Sequence, residues 1–268
     1  MVRLGAALAV VALVAGCGGS THVVTTTAPR LLHQFRVVFP EGFTRAQMAQ
    51  RVQAVARIAQ RERRVHPKIS AKTYLAASGP RRIPGFGAKK LPLEGFLFPS
   101  TYFFDRKTTS RALVRAQLEA FRADWGNVDL AYAQSKNLTP YDVLKIASMV
   151  EREAVVPSER KLIAAVIYNR LHAHMPLGID ATIRYGLNVP GTKPLLQSEL
   201  DSDNPYNTRK FPGLPPTPIA NPGLASIEAA AAPARVDYLY FVRKPDKRHH
   251  YFTSNYDDFL NHEHLYGY

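Results

Sequence analysis

The chain has one cysteine and one tryptophan in 268 residues, and only 21 acidic side chains against 35 basic ones. A single cysteine excludes a disulfide framework and any cysteine-built zinc cluster. The apolar run from Leu4 to Gly16 is about 13 residues, short of the roughly 20 that a membrane-spanning helix needs. No internal repeat, glycine-rich phosphate loop or Ser-His-Asp order stands out. The histidines lack a metal-ligand spacing, and His262-Glu263-His264 has no third partner nearby, which makes it a surface element. This reading calls for no metal and no cofactor. What is present is an ordinary globular balance, 46% hydrophobic and 21% charged, long enough for one large or two small domains. The excess of 14 positive charges and a pI near 10.0 point to an anionic partner: nucleic acid, anionic lipid or an acidic polymer.

The N-terminus narrows that choice. Arg3 is the only charge before residue 30, and a short apolar stretch follows it, as in a secretory signal. Val14-Ala15-Gly16-Cys17 resembles the lipobox of bacterial lipoproteins, in which the cysteine is lipidated and becomes the new N-terminus. The alternative is a plain signal peptide or a single N-terminal anchor helix. Either way the folded part is expected at the extracytoplasmic face of a bacterial cytoplasmic membrane, which argues against a nucleic-acid partner. The expected organisation is a lipoprotein signal with Cys17 over 1–17 and a small, Thr-rich tether over 18–34. A basic N-terminal piece follows over 35–78, and a main domain over 79–268.

Ten Lys/Arg face only Glu41 and Glu62 between Pro29 and Lys72. Phe35–Phe39 reads as a strand. Thr44 caps a helix whose apolar positions Met48, Val52, Val55, Ala56 and Ala59 keep helical spacing, with basic residues on the other face. That face suits anionic lipid or wall polymer at about 1 kcal/mol per basic residue; equally, it is a solvated helix surface. Gly79–Lys90, rich in Pro, Gly and charge, reads as a loop or hinge.

Asn137–Ala154 carries the chemistry. Thr139 is an N-cap, Pro140 suits the first helical position, and Asp142 completes a capping-box-like contact. At about 100° per residue, Val143, Ile146, Ala147 and Val150 form the apolar stripe. Glu153 and Glu151 fall on its two flanks. A carboxylate set against apolar side chains is desolvated and its pKa rises, as a general acid near neutral pH requires. Periodicity does not choose between the two glutamates, and a solvated or ion-paired edge glutamate fits the same pattern. Ser158 is expected to cap a second helix with the core stripe Ile163, Val166, Ile167 and Leu171. Asn169 near its end either faces a cleft or helps to end the helix.

Several ordered blocks resemble the endolytic murein transglycosylases, the MltG or YceG-like family. They include Phe39-Pro40-Glu41-Gly42, LEGFLFPSTY from Leu93 to Tyr102, IASMVERE ending at Glu153, and IYNRL at 167–171. Further along are Leu177–Thr182 with Tyr185-Gly186, Pro205–Thr208, Gly213–Gly223 and His250–Thr253. The resemblance covers roughly residues 36 to 255. It implies an α+β fold: a helix-rich catalytic domain with a small mixed sheet, and a reduced LysM-like remnant at 35–78. In this family the second glutamate of the E-x-E pair is the acid/base, which makes Glu153 the catalytic residue here. Gly178, Ala181, Arg209 and Ser100 depart from the family pattern.

The implied reaction is cleavage of the β-1,4 bond between N-acetylmuramic acid and N-acetylglucosamine within a glycan strand, leaving a 1,6-anhydro end. It would limit strand elongation, and family members are linked to cell-wall synthases. The competing readings are a hydrolase pairing Asp180 with Glu153, and a non-catalytic wall-binding lipoprotein. Tyr206, in a loop with six prolines, offers a stacking face and Asn207 a two-sided amide. That loop either lines the cleft or forms a structural wall. Asp180 orients a sugar or caps a helix. Tyr102, Asn169, Asp180, Tyr206 and Asn207 are the expected substrate-binding residues.

Overall fold

Short polar side chains set where the first helices begin. In the computed structural model, which describes residues 34–267, Thr44 and Ser70 each close a capping box, with Gln47 and Thr73 respectively. Strand β1 (Phe35–Val38) is followed by α1 (Arg45–Arg63) and α2 (Ala71–Ala77), then by β2 (Thr101–Phe104). Helices α3 (Ser110–Trp125), α4 (Ala131–Ser135) and α5 (Pro140–Glu153) come next. A 3-10 turn at Pro157–Glu159 leads into α6 (Arg160–His172), α7 (Asp180–Leu187), α8 (Gln197–Leu200) and α9 (Leu224–Ala231). The hairpin β3 (Tyr240–Arg243) and β4 (His250–Thr253) precedes α10 (Tyr256–Tyr266). Helices with two separate two-stranded antiparallel sheets make the fold α+β. The signal, Cys17 and nearly all of the tether lie outside the described residues.

The boundary expected at residue 78 falls inside one core. β1 pairs with β2 from across it, Phe35 opposite Phe104 and Val38 opposite Thr101. The segment read as a hinge is pinned: Arg81 and Leu91 form a bridge, and Phe86 packs against Phe96 at 4.8 Å and Trp125 at 4.9 Å. On α1, Met48, Ala49, Val52, Ala56 and Ala59 are buried. Val55, assigned to that stripe from sequence, is only half-buried, and Ala49 takes a core place instead. Ser158 does not cap α6. It sits within the 3-10 turn, so the helix starts one residue later than expected, at Arg160, with no side-chain cap.

Helix α5 runs through the middle of this core. Its residues from Val143 to Val150 are buried except Lys145, including Ser148, whose hydroxyl donates to Lys145 O and accepts the Ile219 N–H. Alanines 229, 230 and 231 let α9 pack closely against α5. This burial fixes the direction in which the last turn of α5 projects its side chains.

Candidate active site

Glu153 is the last residue of α5, and its side chain is 15% exposed. It lines a cavity of about 500 Å³ walled by α7, by β3 and β4 (Phe241, Arg243, His250) and by Glu263 of α10. Burial raises its pKa above the usual carboxylate value. The Arg243 guanidinium, 4.0 Å away, opposes that rise, and nearby Asp180 adds to it. The Ala181 N–H at the start of α7 also favours the charged form. The result is a carboxyl group that keeps its proton to higher pH than a free glutamate and opens onto a cavity.

Glu151 has other partners. Its Oε2 accepts the Gly223 N–H at 3.1 Å and the Ser226 hydroxyl at 2.7 Å, at the N-terminus of α9. Helix geometry left both glutamates open; the packing of α9 against α5 separates them.

A second cavity of about 610 Å³ adjoins the first. The two share Arg152, Ala181, Arg184 and Gly191, so they form one continuous groove along α7. Tyr206 lines this second arm, its hydroxyl bonded to Thr217 Oγ1 and its ring edge-on to Tyr185 at 5.1 Å. Asp180 lines the first arm beside Glu153. It is the first residue of α7 rather than its cap, and Oδ1 accepts from Arg209 Nε at 2.8 Å and Nη2 at 2.7 Å. Arg209, a departure from the family pattern, therefore occupies a carboxylate that shares the cavity with the acid. Gly178, another departure, has φ +64°, and a Cβ there would sit 3.1 Å from Arg170 Nη1.

Three expected sugar contacts lie away from the groove. Asn207 is fully buried; its amide donates to Leu200 O at 2.8 Å and Ser202 O at 2.9 Å, while Oδ1 accepts the Arg209 N–H. It shapes the loop instead of meeting ligand. The Asn169 amide donates to Val236 O and Tyr238 O, both at 2.9 Å, tying α6 to the strand approach. The Tyr102 hydroxyl donates to Phe98 O, and its ring packs on Phe39.

The sequence reading gave no role to Glu94, although it quoted the block that contains it. Glu94 lines the second arm, yet its carboxylate is buried. Oε1 accepts the Arg45 N–H at 2.8 Å and the Asn221 amide at 2.7 Å, and Oε2 accepts the Tyr185 hydroxyl at 3.1 Å. Burial outweighs these three donors and pushes its pKa up to about 7. Asn221 completes the knot, accepting the Gly95 and Leu97 N–H groups and donating to Phe43 O. Glu263 was read as surface but reaches the first arm. Its partner elements are distant in sequence, so only the Glu94 and Asn221 blocks offered any signal.

The groove is built from the blocks that carried the family resemblance, and the YceG-like family model matches residues 20–264. The chain belongs to the YceG-like family. Among similar YceG-like proteins, an endolytic murein transglycosylase of Bacillus subtilis strain 168 is 39% identical over 156 residues, 58% of this chain and 43% of the relative. One from Streptococcus pneumoniae R6 is 34% identical over 238 residues, 83% of this chain and 43% of the relative. The chain thus spans less than half the length of these relatives. A crystal structure of a yceG-like protein from Listeria monocytogenes superposes with a TM-score of 0.68 at 29% identity, covering 84% of this chain and 75% of that one.

Proposed function

We propose that the chain is an endolytic peptidoglycan lytic transglycosylase with Glu153 as its single acid/base. The observation that carries this reading is a desolvated carboxyl at the end of a buried helix, opening into a groove with a second arm. Protonated Glu153 donates to the bridging oxygen as the C1–O bond of the muramic sugar breaks through an oxocarbenium-like transition state. The C6 hydroxyl of the same sugar bonds to C1 and returns its proton to Glu153. Atoms balance without water, and the product is a 1,6-anhydro end. A tethered nucleophile needs no second catalytic carboxylate. The engagement of Asp180 by Arg209 and of Glu151 by Ser226 supports one acid over a hydrolase pair.

Mass spectrometry of products from purified peptidoglycan tests the reading. Anhydro ends are expected; reducing muramic ends would replace it with hydrolysis. That the similar proteins of Bacillus subtilis and Streptococcus pneumoniae are endolytic murein transglycosylases supports the same substrate.

The proposal extends to location and organisation. Cys17 is the lipid attachment site, residues 18–34 are the tether, and the enzyme works at the extracytoplasmic membrane surface, where it limits glycan strand growth beside wall synthases. The exposed Arg57 and Arg61 on α1 and Arg64 at its C-cap support an anionic surface against residues 35–78, the LysM-like remnant in this reading. Cys17→Ala is expected to move the protein from the membrane to the soluble fraction; unchanged membrane association favours an anchor helix.

A further inference from the structure

The second arm of the groove is cationic in a way that a neutral sugar backbone does not require. Arg45, Arg152 and Arg184 all line it. Two of these guanidinium groups are held by neutral oxygens. Arg184 donates to Pro190 O at 3.1 Å and Lys193 O at 2.7 Å, and Arg45 to Leu75 O at 3.1 Å and Ser78 Oγ at 3.4 Å. Arg152 has a single long contact, 3.4 Å to Gly42 O, and is exposed. Among the described residues none of the three makes an ion pair within 4 Å. The arm's one carboxylate, Glu94, is buried and already accepts three hydrogen bonds. Carbonyl partners fix the direction of a guanidinium without neutralising it, so positive charge is oriented and left uncompensated.

We infer that this arm is a carboxylate-binding subsite for the peptide stem carried on the muramic sugar, with Arg152 as the gripping residue. The inference rests on the proposed activity and adds what the enzyme reads besides the glycan. In intact wall the lactyl carboxyl is amide-linked to the stem, so the available anions are the stem's own carboxylates. Arg152 stands where the two arms meet, next in sequence to Glu153. A stem held there lies beside the sugar whose bond is cut. Arginine suits the task because its planar fork matches a carboxylate with two donors.

The test is binding by the full-length chain carrying Glu153→Gln, so that ligand is not consumed. Calorimetry compares a glycan tetrasaccharide bearing peptide stems with the same sugar stripped of them, its lactyl carboxyls capped as methyl amides so that no new carboxylate appears. Adding Arg152→Gln is expected to weaken binding of the stem-bearing ligand about tenfold more than binding of the stripped one, the scale of one lost charge-assisted contact. Arg152→Lys, which keeps the charge but loses the fork, should fall between. Equal weakening for both ligands, or none for either, overturns the inference; equal weakening would place Arg152 on the sugar itself. Should Arg152→Gln not fold, the same comparison made with Arg152→Lys decides it. Product analysis of the wild-type chain runs alongside. Reducing ends there would remove the lyase reading while leaving the stem comparison intact, so the two failures are distinguishable.

Discussion

Ser226 donates its hydroxyl to Glu151 at 2.7 Å, and this bond separates two glutamates that stand two positions apart on the same helix. Glu151 is spent on the start of α9. Glu153, on the other flank, opens into the groove. Removing each should therefore fail in a different way. Glu153→Gln should lower the cleavage rate by roughly 10²–10⁴ with little change in Tm. Glu151→Ala should cost about 1–3 kcal/mol of stability while the rate per folded molecule stays near wild type. Thermal melts beside initial rates on purified peptidoglycan check both; a dead but stable Glu151→Ala protein would reverse the assignment.

The acid's environment also sets a pH profile. Glu153 must be protonated to act, and burial raises its pKa, so activity should fall as pH rises through a value above the usual 4.5. Two variants should move that limb in opposite directions. Arg243→Gln removes a cation that favours the charged form, so the limb moves to higher pH. Asp180→Asn removes an anion that disfavours it, so the limb moves to lower pH. Plots of log kcat/KM against pH for the three proteins give the answer, and shifts in the same direction would contradict the geometry.

Glu94 makes a prediction about stability rather than rate. Its folded pKa is raised from 4.5 to about 7, so the native state holds this proton where the unfolded chain has released it. The contribution is fully present below about pH 4.5 and is lost as pH rises towards 7, by an amount on the order of 3 kcal/mol. Glu94→Gln keeps an acceptor for Arg45 and Asn221 but cannot ionise. It should flatten the stability curve between those pH values, as read by urea unfolding at a series of pH values. An unchanged slope would show that another group titrates.

Asn207 should behave as a structural residue. Asn207→Ala loses three hydrogen bonds, two to part-buried carbonyls and one from the Arg209 N–H, and is expected to cost about 2–3 kcal/mol. Asn207→Asp should cost more, because it sets a carboxylate against those same carbonyl oxygens. Glycan affinity of the folded fraction should be unchanged in both. A stable variant with weak binding would return Asn207 to the ligand.

These outcomes show where sequence sufficed. The capping box at Thr139 and Asp142 and the apolar stripe of α5 are local, set by residues three or four positions apart, and they placed Glu153 at the stripe's edge. The same wheel put Glu151 on the opposite flank, where α9 packs. Side-chain amides were not legible in this way. Asn169 and Asn207 are polar residues in an apparent cleft-forming stretch, and only their carbonyl partners reveal that they are used up. For Asn169 those partners lie 67 and 69 residues away. Glu94 was hidden for the same reason, since its partner Asn221 is 127 residues downstream. A hydrophobic period reports which face is buried; it does not report what a buried polar group touches.

The Asn221 knot has a consequence for when the groove exists at all. One amide joins Phe43, Glu94, Gly95 and Leu97, segments that emerge from the ribosome long before it does. The cutting edge is thus among the last parts to come together, and a nascent chain that already holds α5 is still a blade without a handle.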